Sequence, residues 1–309
     1  MRRLRVEGSV VLACAVMTLW SVRGLGRAAV AQGEFPAPAP ASEPPQNVTI
    51  TGKRVPDEGA LKRAISGFVH SRATLSPRSG QIGRWVTPLC PQTLGLQGQY
   101  ENYIDQRIAE VAQRVGAPPR RGRDACTPNV RIVFTRSPQA VLDAARHGAP
   151  WIFGYGRAAL KDRARMHHAI EAWYVTSTGD ENSATEQIDT SFSIVVHREG
   201  RYPSRLKDVE SHFRYVFVVA DLTKLGSYPL APVADYLAMI ALTHTALDGC
   251  NELPSIIDLM SPDCGSRHRP QRLTSTDEAY LKALYSSRFG VRVNFEQSEL
   301  RDKVLQSVR

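Results

Sequence analysis

Apolar and polar residues change their spacing several times along this chain, and each spacing predicts an element. Between Gln99 and Val115, Ile104, Ile108, Val111 and Val115 recur at intervals of four, three and four, one face of a helix. Gly116-Ala117-Pro118-Pro119 ends it. Asn129–Thr135 is a β-branched and aromatic run and predicts a strand, as do Val48–Thr51, Arg84–Cys90, Ala172–Thr176, Phe192–Val196 and Phe213–Val219. Asp57 is a cap for a helix running to about His70, and the polar stretch Ser71–Gly83 is a loop. Ser137-Pro138 supplies an N-cap and a first-turn proline for a short helix. Pro232 opens another, with Val233, Leu237, Ile240, His244 and Leu247 on one stripe. Leu253–Met260 predicts a short helix, and Thr276-Asp277 caps a last one through Leu281 and Leu284.

These elements mix strands and helices without internal repeat. They predict a single α+β domain over residues 48–290, built on a mixed sheet of about five strands packed with helices. Residues 291–309 are left as a C-terminal tail. Ahead of the domain, residues 32–47 are a Pro/Ala-rich linker, a composition that forms an extended tether and not a core.

Residues 1–31 have another logic. Arg2, Arg3 and Arg5 make a positive start, and Val10–Trp20 is an apolar run shorter than the roughly 20 residues of a spanning helix. Ala29-Val30-Ala31 then offers small residues for cleavage between Ala31 and Gln32. The expectation is a signal peptide and a periplasmic or secreted protein with no transmembrane span after processing. A non-cleaved anchor is the rival, favoured by Arg23 and Arg27 behind the run. Cys14 lies inside the run behind bulky Leu12, so it is an apolar residue of the signal and not a lipoprotein site.

Charge and cysteines are best counted after that cleavage. The whole chain carries a net +9, but five arginines and one glutamate lie in residues 1–31, so nearly half the excess leaves with the signal. What remains is modest, and no helix-turn-helix, RNP or zinc-finger pattern accompanies it, which argues against nucleic acid as a partner. Cys90, Cys126, Cys250 and Cys264 remain, an even number that in an exported chain predicts two disulfides. Sequence proximity favours Cys90–Cys126 and Cys250–Cys264, with the other two connectivities open. Neither pair has the CxxC spacing of a zinc knuckle.

The order Cys90-Pro91, Gly95-Leu96, Arg107-Ile108, Val111-Ala112 and Cys126-Thr127-Pro128-Asn129-Val130 resembles a family of uncharacterised secreted Gram-negative bacterial proteins, over residues 48 to 287. That likeness implies no activity. The order of elements is also similar to that of metzincin-type zinc proteases. Ile256–Pro262 resembles their methionine-bearing turn, and Leu273–Asp277 through Tyr285 their closing helix. The resemblance implies an HExxH helix, in which two histidines four apart hold zinc and the glutamate acts as base. With His244 as the second histidine, Ile240 stands at the first and Ala241 at the glutamate. The implied scaffold is degenerate and zincin-like, without catalytic zinc.

No catalytic residue, metal or cofactor is expected from motifs. GxSxG, Walker A, GxGxxG and EF-hand patterns are absent, and Ser204–Lys207 matches SxxK without its companion motifs. Gly154, Gly156 and Ala159 fit a looser dinucleotide pattern with no strand leading into it. The best binding candidate is segment 151–168. Trp151 and Tyr155 precede Arg157, Lys161, Arg163, Arg165, His167 and His168, with only Asp162 opposed. Aromatics followed by cations suit a small anionic ligand or the acidic surface of an envelope protein. The competing reading is an ordinary solvated face. The expected function is therefore a non-catalytic ligand- or partner-binding domain. The alternative is a protease-like hydrolase assembled around His244 with Asp235 or Asp248.

Overall fold

In the computed structural model, residues 57–76, 80–120, 126–154, 163–178, 211–261, 264, 269–288 and 291–308 are described, all within one unit, Arg54–Arg309. The expected signal and linker, the strands expected at 48–51 and 192–196, and the Ser204–Lys207 motif lie outside these residues.

Helix α1 (Glu58–Arg72) leads to β1 (Pro91–Leu94), α2 (Gly98–Val115) and β2 (Val130–Thr135). Then come α3 (Pro138–Gly148), a 3-10 turn Pro150–Phe153, β3 (Ile170–Thr178) and β4 (Ser211–Asp221). The short α4 (Leu222–Leu225), α5 (Leu230–Leu242), a 3-10 turn Ile256–Leu259, α6 (Ser275–Ser286) and α7 (Val293–Val308) complete the order. The fold is α+β, a single domain on one mixed sheet, with four strands among the described residues in the order β1-β2-β4-β3. β1, β2 and β4 are parallel, with α2 as the crossover between the first two, and β3 runs antiparallel along β4.

Alternation along the strands gives the sheet two different faces. Val130, Ile132 and Phe134 of β2 and Val216, Val218 and Ala220 of β4 join α1, α2, α5, α6 and α7 in the larger core. Phe217 and Val219 of β4 and Trp173 of β3 point the other way, into a smaller core closed by Leu142, Ile152, Phe153 and Ala164. Two glycines let the chain pass close to strands. A Cβ at Gly95 (φ 94°) would lie 2.0 Å from the Phe134 carbonyl oxygen, and one at Gly154 (φ 68°) would lie 2.1 Å from that of Tyr174.

Several expectations need correction. The strand predicted over residues 84–90 falls at Pro91–Leu94. Arg84 makes one isolated bridge to His212, and Trp85 leaves the sheet to fill the larger core, its Nε1–H bonded to the Ala241 carbonyl at 2.8 Å. Pro88, without an N–H, cannot donate to a ladder. Helix α5 starts two residues before Pro232 and is buried on all sides from Pro232 to Leu242, so it has no single apolar stripe. It ends at Leu242. Thr243 is extended, and residues 244–246 pair instead with the end of α1: Thr74 N–H to His244 O at 2.9 Å and Ala246 N–H to Ser71 O at 3.2 Å. His244 and Leu247 are therefore not helical. Only Ile256–Leu259 of the expected 253–260 helix forms, as a 3-10 turn capped by Ser255. The cap of α6 is Thr274 and not Thr276, with Asp277 completing a capping box. The expected tail folds as α7, which buries Glu296, Leu300, Val304 and Leu305.

Candidate functional site

The described ends of segment 151–168, residues 151–154 and 163–168, put Ile152, Phe153 and Ala164 into the smaller core on the second face of the sheet. Trp151 is half-buried, its ring edge-on to Tyr215 at 5.0 Å. Arg163 and Arg165 are exposed on either side of Ala164, which is buried in the smaller core. The Arg163 carbonyl accepts the Trp173 Nε1–H at 2.8 Å, so the backbone is anchored where the two cations are presented. Tyr155, Arg157 and Lys161, like Gly156 and Ala159, lie outside the described residues.

His168 is separated from this surface by its chemistry. Its Nδ1 is 3.0 Å from Glu171 Oε2 and its Nε2 is 2.7 Å from Asp248 Oδ1. The Glu171 carboxylate also accepts the backbone N–H groups of His167 and His168 at 3.3 Å each. The bond to Glu171, helped by Asp248 and opposed by burial, pushes the His168 pKa up to about 9. With both ring nitrogens taken, His168 is a clamp between the start of β3 and the loop after α5. It is not an open ligand contact.

His244 is half-buried with its ring 4.3 Å from that of Tyr174, whose hydroxyl donates to the Ile240 carbonyl at 2.8 Å. Burial pushes its pKa down to about 4, so it is neutral at physiological pH. The carboxylates considered for it are engaged elsewhere. Asp235 receives Arg107 Nε–H at 2.5 Å and the Leu273 N–H at 2.8 Å, and Asp248 holds His168.

The region likened to a methionine-bearing turn is a buried polar junction. Arg72, with no solvent exposure, donates to Asp258 Oδ1 at 3.0 Å and to the Ala246 carbonyl at 3.0 Å. Asp258 also accepts the Ser255 N–H at 2.9 Å, and Ser255 Oγ donates to Asp277 at 2.7 Å. Burial raises the Asp277 pKa, and its bonds from Ser255, Ile256 and Thr274 work against that rise. Asp258 lies beside Cys250 and Cys264, a grouping within metal-ligand distances. Those two cysteines are joined as a disulfide and Asp258 holds Arg72, so the set suits a structural joint and not an ion. The other bridge, Cys90–Cys126, ties the residue before β1 to the approach to β2.

Sequence reading missed three residues on the second face. Gln92 and Arg131 are register partners on β1 and β2, and Tyr215 stands on β4 beside Trp151. Arg131 Nε and Gln92 Oε1 are enclosed without a hydrogen-bond partner among the described residues. Burial raises the Tyr215 pKa, and the nearby Arg131 charge acts against the rise. The available signal was an arginine within the apolar strand Val130-Arg131-Ile132-Val133-Phe134, where a cation is costly unless something pairs with it.

Comparison of the chain with family models, curated proteins and solved structures finds no match.

Proposed function

We propose that the chain is an exported, non-catalytic domain of an oxidising envelope compartment that binds an anionic ligand or the acidic surface of a partner protein through segment 151–168. The observation that carries this reading is the placement of Arg163 and Arg165. Both are exposed while Ala164 between them is buried in the smaller core. Cations held on an anchored backbone lose less entropy on binding than cations on a free loop. Trp151 and Tyr215 give the same face an aromatic edge. Two disulfides fit the compartment, and no helix among the described residues is long and apolar enough to cross a membrane.

The rival hydrolase has weaker support, because Asp235 and Asp248 are bonded to Arg107 and His168 and His244 packs on Tyr174. The test is charge reversal. Arg163→Glu together with Arg165→Glu is expected to lower affinity for the partner on the order of tenfold or more. Unchanged association, measured with envelope extract at low salt, contradicts the assignment.

A further inference from the structure

Resting on that reading, we infer that the surface carried by Arg163 and Arg165 continues through Arg136 and Lys224 along one edge of the sheet, and that this strip takes an acidic run of a partner protein. Register sets the edge. Thr135, the last residue of β2, pairs with Asp221, the last of β4, and the Asp221 N–H donates to the Ala169 carbonyl at 2.8 Å just before β3 begins. The ends of β2 and β4 and the start of β3 therefore lie side by side. Arg136 leaves the first, Lys224 stands on α4 behind the second, and Arg165 and His167 lead into the third. Gln139, in the first turn of α3, donates to the Ala164 carbonyl at 3.1 Å, so the chain bearing Arg163 and Arg165 lies against the helix that Arg136 leads into.

All four cations and His167 are exposed. The described carboxylates around them are already engaged. Asp221 is buried and caps α4 through Thr223, Glu171 and Asp248 hold His168, and Asp143 pairs with Arg146. Asp162 lies outside the described residues. What reaches solvent along this edge is thus mainly positive, and such a patch favours encounter with the opposite charge and opposes its own. Size decides between a small anion and a chain. Neighbouring strands lie about 4.8 Å apart, so from β2 across β4 to β3 the strip is on the order of 10 Å wide. One carboxylate or phosphate meets one or two of these cations and leaves the others unused. An extended peptide sets alternate side chains on one side about 7 Å apart, so two or three acidic residues at alternate positions cross the strip. A nucleic-acid strand needs rings on which to stack its bases. The aromatic residues exposed among those described, Tyr100, Tyr103 and Phe295, stand elsewhere, on α2 and α7.

The experiment is calorimetric titration of the processed full chain at about 0.15 M salt, where exposed charges more than about 8 Å apart are largely screened. The probes are an acetylated and amidated peptide of alternating Glu and Ser, its Gln–Ser counterpart, inorganic phosphate, polyphosphate and an oligothymidylate. Saturable binding of the Glu peptide is expected, with the Gln peptide and inorganic phosphate weaker by about tenfold or more. Arg136→Glu together with Lys224→Glu is expected to lower that affinity by about tenfold or more. Lys62→Glu together with Arg63→Glu, the same change of net charge at exposed positions of α1, is expected to change it by less than about twofold. No saturable binding of the Glu peptide, equal binding of the Gln peptide or phosphate, binding of polyphosphate or oligothymidylate as tight or tighter, or equal losses in the two double variants each overturns the inference. Should Arg136→Glu with Lys224→Glu not fold, Arg136→Gln with Lys224→Gln is read in the same way. Failure here is distinct from failure of the broader reading: partner association lost on reversal of Arg163 and Arg165, but unchanged on reversal of Arg136 and Lys224, leaves that reading intact and removes this one.

Discussion

Arg72 and Asp258 meet at 3.0 Å with no exposure of either side chain, and burial alone would strip Arg72 of part of its proton affinity. Removing one partner leaves a charge enclosed, so Arg72→Met is expected to cost about 3–5 kcal/mol in urea unfolding, whereas a paired apolar replacement of both costs less. His168 and His244 make opposite predictions with pH. The His168 pKa is raised from 6.5 to about 9, so its contribution is full below pH 6.5 and fades as pH rises towards 9. That of His244 is lowered from 6.5 to about 4, so its contribution is full above pH 6.5 and is lost as pH falls towards 4. Stability measured against pH should lose its alkaline slope in His168→Gln and its acid slope in His244→Gln; unaltered slopes would refute these placements. His168 was legible as part of a basic segment, but its clamp was not, because Asp248 comes from 80 positions further along. Spacing reports neighbours on one element and says nothing of partners that folding brings from another.

Among the elements, α2 was read nearly to its ends because Ile104, Ile108, Val111 and Val115 face one core and the other sides face water. Helix α5 misled for the opposite reason: when every side is buried, an apolar stripe carries no phase, and His244 looked helical though the helix had already ended at Leu242. Helix α7 was hidden by its sparse apolar residues. Its buried side includes Glu296, which pairs with the buried Arg84 under the end of α6. Arg84 Nη1 further donates to the Leu284 and Ser287 carbonyls at 2.5 and 3.1 Å, so α6 and α7 are fixed around one guanidinium. Truncation after Arg292 should therefore abolish cooperative unfolding, because it uncovers the larger core and leaves Arg84 without its carboxylate. Circular dichroism of the shortened chain checks this; a native-like melt would show α7 dispensable. The cysteines behaved as their spacing suggested, and Cys90→Ser with Cys126→Ser is expected to cost on the order of 3 kcal/mol by lost loop closure.

For the molecule as a whole, the class of fold was legible and the site only in part. Alternation and helical spacing identify α+β with a mixed sheet, but which strand face stays open depends on how elements stack. That is why Arg163 and Arg165 could be named from sequence while Arg131, Gln92 and Tyr215 could not. Among the described residues, the first face is covered by five helices and the second by α3, a 3-10 turn and the chain around Ala164. We place the proposed binding function on the second side, where Arg163 and Arg165 are exposed on either side of the buried Ala164. Site-specific photocrosslinking in cells that produce the protein tests that most directly. A photoreactive residue replacing the exposed His167 is compared with one at Gln113, exposed on α2 over the first face. The account predicts a discrete adduct at position 167, diminished on the order of tenfold by Arg163→Glu with Arg165→Glu, and none at position 113. Equal labelling at both positions, or no adduct at position 167, would contradict it.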